Sequence, residues 1–328
     1  MNSGPPEAVG GARTKRVLVI RYSQSGQLTA LTEQILAPLR ADPRVEVRVL
    51  PLVLRRPFPF PWGFFRFLDA FPESAHLVPP PLEPLALTGD EDFDLVILPW
   101  QVWFLAPSQP ITAFLADPVA QRVLRGRPVV SVVACRNMWM AAWEKLQGLV
   151  SATGARLVDH VVYTDPGPTL ATFFTTPRWL LTGDKAGFWG MPPAGLSEAQ
   201  VRGSRRFGLA LRDALAADAE KGDGPLLAGL GAVQADPRLL VSERVGTRSF
   251  FVWGKLVMAV GRPGAWQRKP VLLAYLAFLV LAIVTIVPTS LALQALLRPL
   301  MSGRLTKIRQ RFEQPSGSST ERSHLHED

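Results

Sequence analysis

Three short segments carry side chains that could bind an anion and a flat aromatic ring. The first is Tyr22-Ser23-Gln24-Ser25-Gly26-Gln27, which follows an apolar run and precedes residues at helical spacing. Backbone N–H groups in such a turn, short hydroxyls and the positive end of the helix bind phosphate without an arginine. The predicted phosphate-binding residues are Ser23, Gln24, Ser25, Gly26, Gln27 and Leu28. A helix N-terminus that binds no ligand is the alternative.

The second segment, Pro99 to Phe104, and the third, which contains Arg136 and Asn137, follow two other apolar runs. Tryptophan stacks on flat, partly apolar rings, and loop amides can hydrogen-bond to the polar edge of such a ring. Trp100 and Trp103 are therefore predicted to stack on a ring, whereas packing at the protein surface is their alternative role. Arg136 could stabilise developing negative charge or orient a substrate carbonyl. The predicted ring-binding residues are Pro99, Trp100, Gln101, Val102, Trp103, Phe104, Arg136 and Asn137.

Fewer residues indicate a catalytic group or a metal site. Tyr163 and Asp165 follow a further strand and could donate or position a proton, although capping a loop is the simpler role of the aspartate. Cys135 has no neighbouring histidine and is interpreted as a small core residue rather than a nucleophile. The four histidines are His76, His160, His324 and His326. None of them has the spacing of metal ligands inside the folded region, so we predict no metal site.

The elements that must position these segments alternate between strand and helix. Strands are predicted over 16–21, 45–50, 93–98, 127–135 and 156–163, and helices over 27–40, 110–115, 138–153 and 197–217. Such alternation predicts a doubly wound α/β domain over residues 15–217 with a parallel, five-stranded sheet. Ligands of these sheets bind beyond the carboxyl ends of the strands, where all three segments lie.

The remaining segments are less regular. Residues 1–14 are predicted to be a disordered leader, and 218–248 a linker region. An insertion at 51–90 is rich in proline and aromatic residues, which predicts a long loop that packs on the domain or faces an apolar substrate or a bilayer. A second irregular stretch is predicted over 164–197.

A long apolar segment near the C-terminus predicts contact with a membrane. No residue from Val271 to Leu297 is charged, so a transmembrane helix is predicted there, with a buried core helix as the alternative. Residues 249–297 form the predicted membrane-associated segment, followed by a basic and then polar tail at 298–328. A single span and a monotopic anchor both fit, and Pro288 permits a kink or a partly re-entrant path. A hairpin that includes Ser249–Gly261 would keep both ends on one side.

The net charge and the cysteine content indicate which partners and which cellular compartment to expect. The net charge is +9, with 36 Lys and Arg against 27 Asp and Glu. The basic residues flank the apolar segment and no nucleic-acid module accompanies them, so we predict a lipid bilayer and no nucleic acid as a partner. A single cysteine indicates a reducing compartment, which predicts a membrane protein whose α/β domain lies on the cytoplasmic side.

The three segments together resemble the flavodoxin-like family. That family binds the phosphate of FMN with a Ser/Thr-x-Ser/Thr-Gly-x-Thr turn, which Ser23, Ser25 and Gly26 match, whereas Leu28 replaces the last hydroxyl. The PWQVWF loop followed by Ala113-Phe114-Leu115 is similar to the family's flavin-ring loop. Residues 15–215 also resemble proteins labelled dialkylresorcinol-condensing enzymes, which act in the biosynthesis of alkylated aromatic lipids.

The resemblance implies an FMN-dependent oxidoreductase. We predict a membrane-anchored flavoprotein that acts on an apolar quinone-like or cyclic-diketone substrate, with possible aromatisation of that substrate, and NAD(P)H as a candidate electron donor. A biosynthetic or redox partner protein is also implied. The alternative function is an electron-transfer or docking protein of the same fold, without substrate chemistry of its own.

Overall fold

The computed structural model describes residues 13–326, without the side chains of 286–288 and 290–302. Within the described residues the sheet has six strands, namely β1 (Lys15–Arg21), β2 (Val45–Pro51), β3 (Leu95–Trp103), β4 (Ala106–Pro107), β5 (Pro128–Cys135) and β6 (Arg156–Thr164). Five are parallel in the order β2-β1-β3-β5-β6, and β4 is a two-residue antiparallel strand paired with β3. Without β4 the order is the 2-1-3-4-5 arrangement of flavodoxin-like sheets, which confirms the α/β class. The prediction of five strands missed β4.

Helices cover the sheet and continue beyond it. They are α1 (Gln27–Ala41), α2 (Phe64–Asp69), α3 (Phe71–Ala75), α4 (Gln109–Ala116), α5 (Pro118–Leu124), α6 (Met140–Ala152), α7 (Thr169–Thr182), α8 (Glu198–Gly203), α9 (Arg205–Ala216), α10 (Leu239–Val260) and α11 (Arg268–Glu313). Short 3-10 helices lie at Ala219–Lys221 and Ser323–His326. The helical spacing in the sequence correctly predicted the inner face of α1. The residues on that face that are buried against the core are Leu28, Leu31, Ile35 and Leu39.

Some predicted loops contain helices. The stretch 164–197 includes α7, whose proline at position 177 weakens the helical pattern in the sequence. The insertion at 51–90 includes α2 and α3. The single helix predicted over 197–217 is divided into α8 and α9. Of the leader predicted for 1–14, all but the last two residues lie outside the described residues.

The region 218–248, predicted as a linker, packs against the outer strand of the sheet. Leu227, Leu230 and Val233 are fully buried in the main core. The carbonyl of Ala232 accepts a hydrogen bond from the N–H of Val162 in β6, at 2.9 Å. The region therefore extends the core at the β6 edge, and α10 begins inside it.

The tail after α11 returns to the same edge. The Ser316 hydroxyl donates to Oδ1 of Asp159 at 2.7 Å and accepts from the N–H of His160 at 2.8 Å. The Asp159 carboxylate also accepts from the N–H groups of Leu226 and Leu227, at 2.7 and 3.1 Å. One buried carboxylate thus joins β6, the 218–248 region and the tail.

The apolar segment predicted to be a transmembrane helix lies within α11, which has 46 residues. Among the described residues, the helical window Arg268–Thr285 is long and apolar enough to cross a membrane, and 17% of it is buried. Length and composition alone carry this finding, so contact with a membrane stays a prediction.

Removing the Ser316 hydroxyl should loosen the tail. Ser316→Ala leaves the buried Asp159 carboxylate with one donor fewer, and loss of such a bond costs about 1–3 kcal/mol. We expect the free energy of unfolding, measured by denaturant titration in mild detergent, to fall by that amount. Ser319→Ala is the control, because the Ser319 side chain is exposed and bonds to Glu321. Equal stability of the two variants would contradict the proposed role of Ser316.

Candidate functional site

A cavity of about 230 Å³ lies where β1, β3 and β5 end. All three predicted segments contribute to its wall, because parallel strands bring their carboxyl ends to one edge of the sheet. The contributing residues from those segments are Ser23, Gln24, Ser25, Gln27 and Leu28, then Gln101, Val102, Trp103 and Phe104, and finally Arg136.

The turn between β1 and α1 presents hydrogen-bond donors with no acceptor. In the described part of the chain, the backbone N–H groups of residues 23–29 and the hydroxyls of Ser23 and Ser25 donate to no other residue. Gly26 precedes α1 with a φ of 82°, a left-handed conformation that glycine adopts without strain. Free donors at the positive end of a helix attract an anion.

Two glutamine side chains hold this turn against other parts of the chain. The Gln24 amide donates to the carbonyl of Pro59 at 2.6 Å, in the insertion, while its oxygen accepts from the Tyr22 hydroxyl at 2.5 Å. The Gln27 amide donates to the carbonyl of Leu196 at 3.3 Å. Gly195 beside it has a φ of 80°, a left-handed conformation that favours glycine.

An aromatic cluster contributes Trp62 and Trp103 to the cavity wall. Trp103 packs edge-on against Tyr22, Phe58 and Trp62, with ring centroids 6.2, 5.0 and 5.5 Å away. Trp62 is buried, so this part of the insertion packs on the domain, as one of the two sequence alternatives predicted. Phe64 and Phe65 in α2 are exposed instead, by 43% and 37%. The insertion therefore both lines the cavity and presents apolar side chains to the outside.

Trp100 does not reach the cavity. The sequence placed the end of the strand at Leu98, but β3 continues to Trp103, so Pro99 and Trp100 pair with β5 inside the sheet. Trp100 is fully buried and its indole N–H donates to the Ser131 hydroxyl at 2.8 Å. The prediction that Trp100 stacks on a ligand is wrong, because alternation along the longer strand directs its side chain into the core.

The chain turns sharply after Trp103. Phe104 and Leu105 have φ values of 49° and 57° and connect β3 to β4 as a two-residue hairpin. Positive φ at both central residues is the geometry of a type I′ turn, which costs non-glycine residues about 1–2 kcal/mol each. Lys145 donates to the Leu105 carbonyl at 3.1 Å and supports the turn. This conformation holds the Phe104 side chain at the cavity wall.

Arg136 supplies positive charge to the cavity. Its guanidinium lies 4.0 Å from the centroid of the Phe173 ring, and burial lowers its pKa to about 10, so it stays charged at neutral pH. The carboxylate of Asp165, which also lines the cavity, acts on this pKa in the opposite direction. Asn137 does not line the cavity; its amide donates to the Thr169 hydroxyl at 3.1 Å, joining the start of α7 to this segment.

Of the other catalytic candidates, Cys135 and Asp165 line the cavity and Tyr163 does not. Tyr163 lies in the core beside Phe207 and outside the cavity wall, and burial raises its pKa to about 12. Burial also raises the pKa of the Cys135 thiol, which disfavours the nucleophilic thiolate. Asp165 caps a loop, since its oxygens accept from the N–H groups of Gly167 and Gly195 at 2.8 and 2.6 Å. Among the described residues, no cluster of His, Cys, Asp or Glu could bind a metal ion.

Sequence patterns did not identify the residues that come from outside the three segments. Further residues that line the cavity are Trp62 and Phe67 of the insertion and Thr176, Trp179 and Leu180 of α7. Their aromatic content was visible in the sequence, but their distance along the chain from the strand ends gave no sign of where they fold.

A buried glutamate supports the Arg136 segment from α10. Glu243 Oε2 accepts a hydrogen bond from the N–H of Ala141 at 2.6 Å, at the start of α6. Its other oxygen is buried without a partner among the described residues. Burial raises the Glu243 pKa to about 7, and the nearby Glu144 acts in the same direction. No local motif marks this residue, because its partners lie about a hundred positions away in the chain.

Solved structures that are similar to this chain include the following two. A flavoprotein in complex with FMN from Lactobacillus acidophilus NCFM is 16% identical, with a TM-score of 0.36, over 45% of this chain and 91% of that one. A flavodoxin from the domain Archaea is 10% identical, with a TM-score of 0.34, over 61% of this chain and 99% of that one. No protein-family model and no curated protein matches the sequence.

The raised pKa of Glu243 predicts a pH-dependent stability. Between the ordinary value of 4.5 and about 7, the folded state holds a proton that the unfolded state has lost. The free energy of unfolding therefore falls as pH rises through this window, by up to about 1.4 kcal/mol per pH unit from this group. Glu243→Gln should remove that contribution, as measured by denaturant titration at several pH values. Glu198→Gln, at an exposed helix position, is the control and should keep the wild-type slope.

Proposed function

We propose that this chain is a membrane-associated FMN-dependent oxidoreductase that acts on an apolar, quinone-like or cyclic-diketone substrate. The observation that carries the proposal is the cavity in which a turn with free N–H donors, an aromatic wall and a half-buried arginine meet. Each of these three features suits a different part of FMN. Because they come from separate parts of the chain and meet in one cavity, they favour a binding site over a helix N-terminus that binds no ligand.

The turn fits the phosphate group. The free N–H groups of residues 23–29, the two serine hydroxyls and the dipole of α1 all favour an anion at this point. Leu28 contributes apolar surface where related turns have a hydroxyl. The backbone donors carry most of the recognition, so the loss of one hydroxyl is compatible with binding.

The cavity wall fits an isoalloxazine ring. Trp103 and Phe104 offer aromatic surface, and the buried Gln101 amide oxygen has no partner among the described residues. The Gln101 amide N–H donates to the Tyr22 carbonyl at 2.7 Å, which orients that oxygen. Bound FMN would supply the hydride or electron transfer, while these side chains orient the ring and exclude water. Arg136 would stabilise negative charge at the ring or at a substrate carbonyl.

Two residues that contact both the cavity and an aromatic cluster support the proposal of an apolar substrate. Phe67 and Phe104 line the cavity and also pack against an aromatic cluster formed by Phe71, Phe250 and Tyr275. That cluster joins α3, α10 and the apolar start of α11. A substrate dissolved in lipid beside α11 would therefore meet aromatic side chains continuous with the cavity wall.

Membrane attachment and sidedness belong to the same proposal. The window Arg268–Thr285 has the length and composition of a membrane helix, and basic residues precede and follow the apolar run. We propose that the α/β domain lies on the cytoplasmic side, where FMN and NAD(P)H are available as cofactor and donor. An alkylated resorcinol precursor is the substrate class suggested by the sequence resemblance.

An electron-transfer or docking role is the second candidate function. Leu170 and Phe174 of α7 are 73% and 58% exposed, on the helix whose Thr176 and Trp179 line the cavity. Exposed apolar side chains beside a redox site suit contact with a partner protein. Purified flavoprotein that exchanges electrons with a protein partner but converts no quinone or cyclic diketone would favour this role.

Flavin binding is tested by the absorption spectrum of detergent-purified full-length protein. We expect flavin absorbance near one equivalent, and acid release of a compound identified as FMN. Ser25→Tyr should reduce the bound flavin at least about tenfold, because a bulky side chain blocks the anion-binding turn. Ser151→Tyr, at an exposed end of α6, is the matched control. A colourless wild-type protein that takes up no FMN, or unchanged flavin content in Ser25→Tyr, would contradict the assignment.

The charge of Arg136 should raise the reduction potential of the bound flavin. Arg136→Met removes a cation near the site where negative charge develops, whereas Arg136→Lys retains it. We expect the potential of the Met variant to fall by roughly 30 mV or more, since 30 mV corresponds to about 1.4 kcal/mol for a two-electron couple. The Lys variant should stay closer to wild type. Equal potentials in all three proteins would show that Arg136 does not act on the ring.

A further inference from the structure

Both ends of the apolar helix α11 are attached to the same domain. At its start, the buried Arg268 forms ion pairs with Asp69 and Glu73 of the insertion, at 3.1 and 2.9 Å. At its end, Glu313 accepts a hydrogen bond from the N–H of Ala235 at 3.3 Å, and the Phe312 ring lies 6.2 Å from that of Trp139. The helix therefore leaves the domain surface and comes back to it.

The contacts along α10 show that α11 cannot be straight. Tyr275 packs on Phe250 with ring centroids 5.7 Å apart, and Arg311 shares the Glu144 carboxylate with Arg244, at 2.9 and 3.4 Å. A straight helix would separate residues 275 and 311 by about 54 Å, whereas residues 244 and 250 of α10 are only about 9 Å apart along its axis. Even with both arginines fully stretched, the contacts allow roughly 40 Å between residues 275 and 311.

We infer that α11 forms a hairpin that enters one leaflet of the bilayer and returns, so that the α/β domain and the C-terminal tail face the same side. This inference rests on the membrane association proposed above. The stretch between Leu279 and Arg304 can extend out and back by about 19 Å at most, while the hydrocarbon core is about 30 Å thick. Two complete crossings would need about 40 residues. The segment is thus long enough to enter the bilayer and too short to cross it twice.

The charges on the two flanks fit this topology. Lys269 precedes the apolar stretch, and the exposed side chains of Arg304, Lys307 and Arg309 follow it. A single span would place one basic flank on each side, whereas cytoplasmic flanks carry the excess of Lys and Arg in membrane proteins. The hairpin places both flanks against the same anionic headgroups, which attract them.

Apolar side chains beside the hairpin are also exposed. Val252 and Leu256 of α10 are each 51% exposed, and Leu281 and Val284 of α11 are 64% and 66% exposed. Helices with such faces beside a basic rim lie in the membrane interface. The second half of α10 and the start of α11 therefore form the surface on which the domain rests, with the hairpin embedded beyond it.

Single-cysteine labelling of the full-length protein tests the topology. In a Cys135→Ala background, Ser151→Cys reports the domain, Ser319→Cys the tail and Leu281→Cys the hairpin. Each protein is expressed in bacterial inner membrane and treated with a membrane-impermeant maleimide in spheroplasts and in inverted vesicles. We expect Ser151→Cys and Ser319→Cys to react in inverted vesicles and not in spheroplasts. The labelling yields of these two variants in inverted vesicles should be about equal. Leu281→Cys should react only after detergent is added.

The alternative outcomes separate the two proposals. Reaction of Ser319→Cys in spheroplasts and of Ser151→Cys in inverted vesicles would show a single span, which overturns the hairpin and leaves membrane association intact. Reaction of both in spheroplasts would support the hairpin and contradict the cytoplasmic placement. Recovery of the wild-type chain in the soluble fraction, as a monomer or as a dimer that covers its own apolar faces, would overturn both the hairpin and the membrane association.

Discussion

Parallel pairing of β1 with β3, and of β3 with β5, is the constraint on which the candidate site depends. The register aligns Val19 with Ile97 and Leu98 with Ser131, so the three strands run side by side toward one edge. Their loops come from widely separated parts of the chain, so the cavity forms only when the strands pair. Hydrogen bonding between strands brings a turn of free N–H donors next to aromatic and cationic side chains.

Around this edge, buried charges attach the apolar helices to the domain. Arg268 with Asp69 and Glu73 fixes the start of α11 to the insertion, and Glu243 fixes α10 to the N-terminus of α6. Removing one partner of a buried pair leaves an uncompensated charge, so such pairs hold a geometry firmly whatever their net contribution to stability. The cavity and the exposed apolar surface of α10 and α11 consequently form one structural unit, with Phe67 and Phe104 between them.

The sequence predicted most of the sheet because burial on both faces produces continuous apolar runs such as Phe93–Leu98. It misjudged where β3 ends, since Pro99 and the following polar and aromatic residues are typical of a loop, while the pairing with β5 continues to Gln101. Because of that error, Trp100 was predicted to lie in the site, whereas it lies in the core. It also missed α7, whose internal proline and exposed apolar side chains conceal the helical period, and which forms one side of the cavity.

By itself the sequence determined the α/β alternation, the strand-to-helix turn at Ser23–Gln27 and the uncharged segment at Val271–Leu297, because local spacing and composition suffice for each of these features. The tertiary structure alone decided which residues surround the cavity, that 218–248 belongs to the core, and that both ends of α11 return to one domain. These outcomes depend on contacts between residues far apart in the chain, such as Glu144 with Arg311 and Asp159 with Ser316. Periodicity reports only which face of an element is buried, not which distant element covers it.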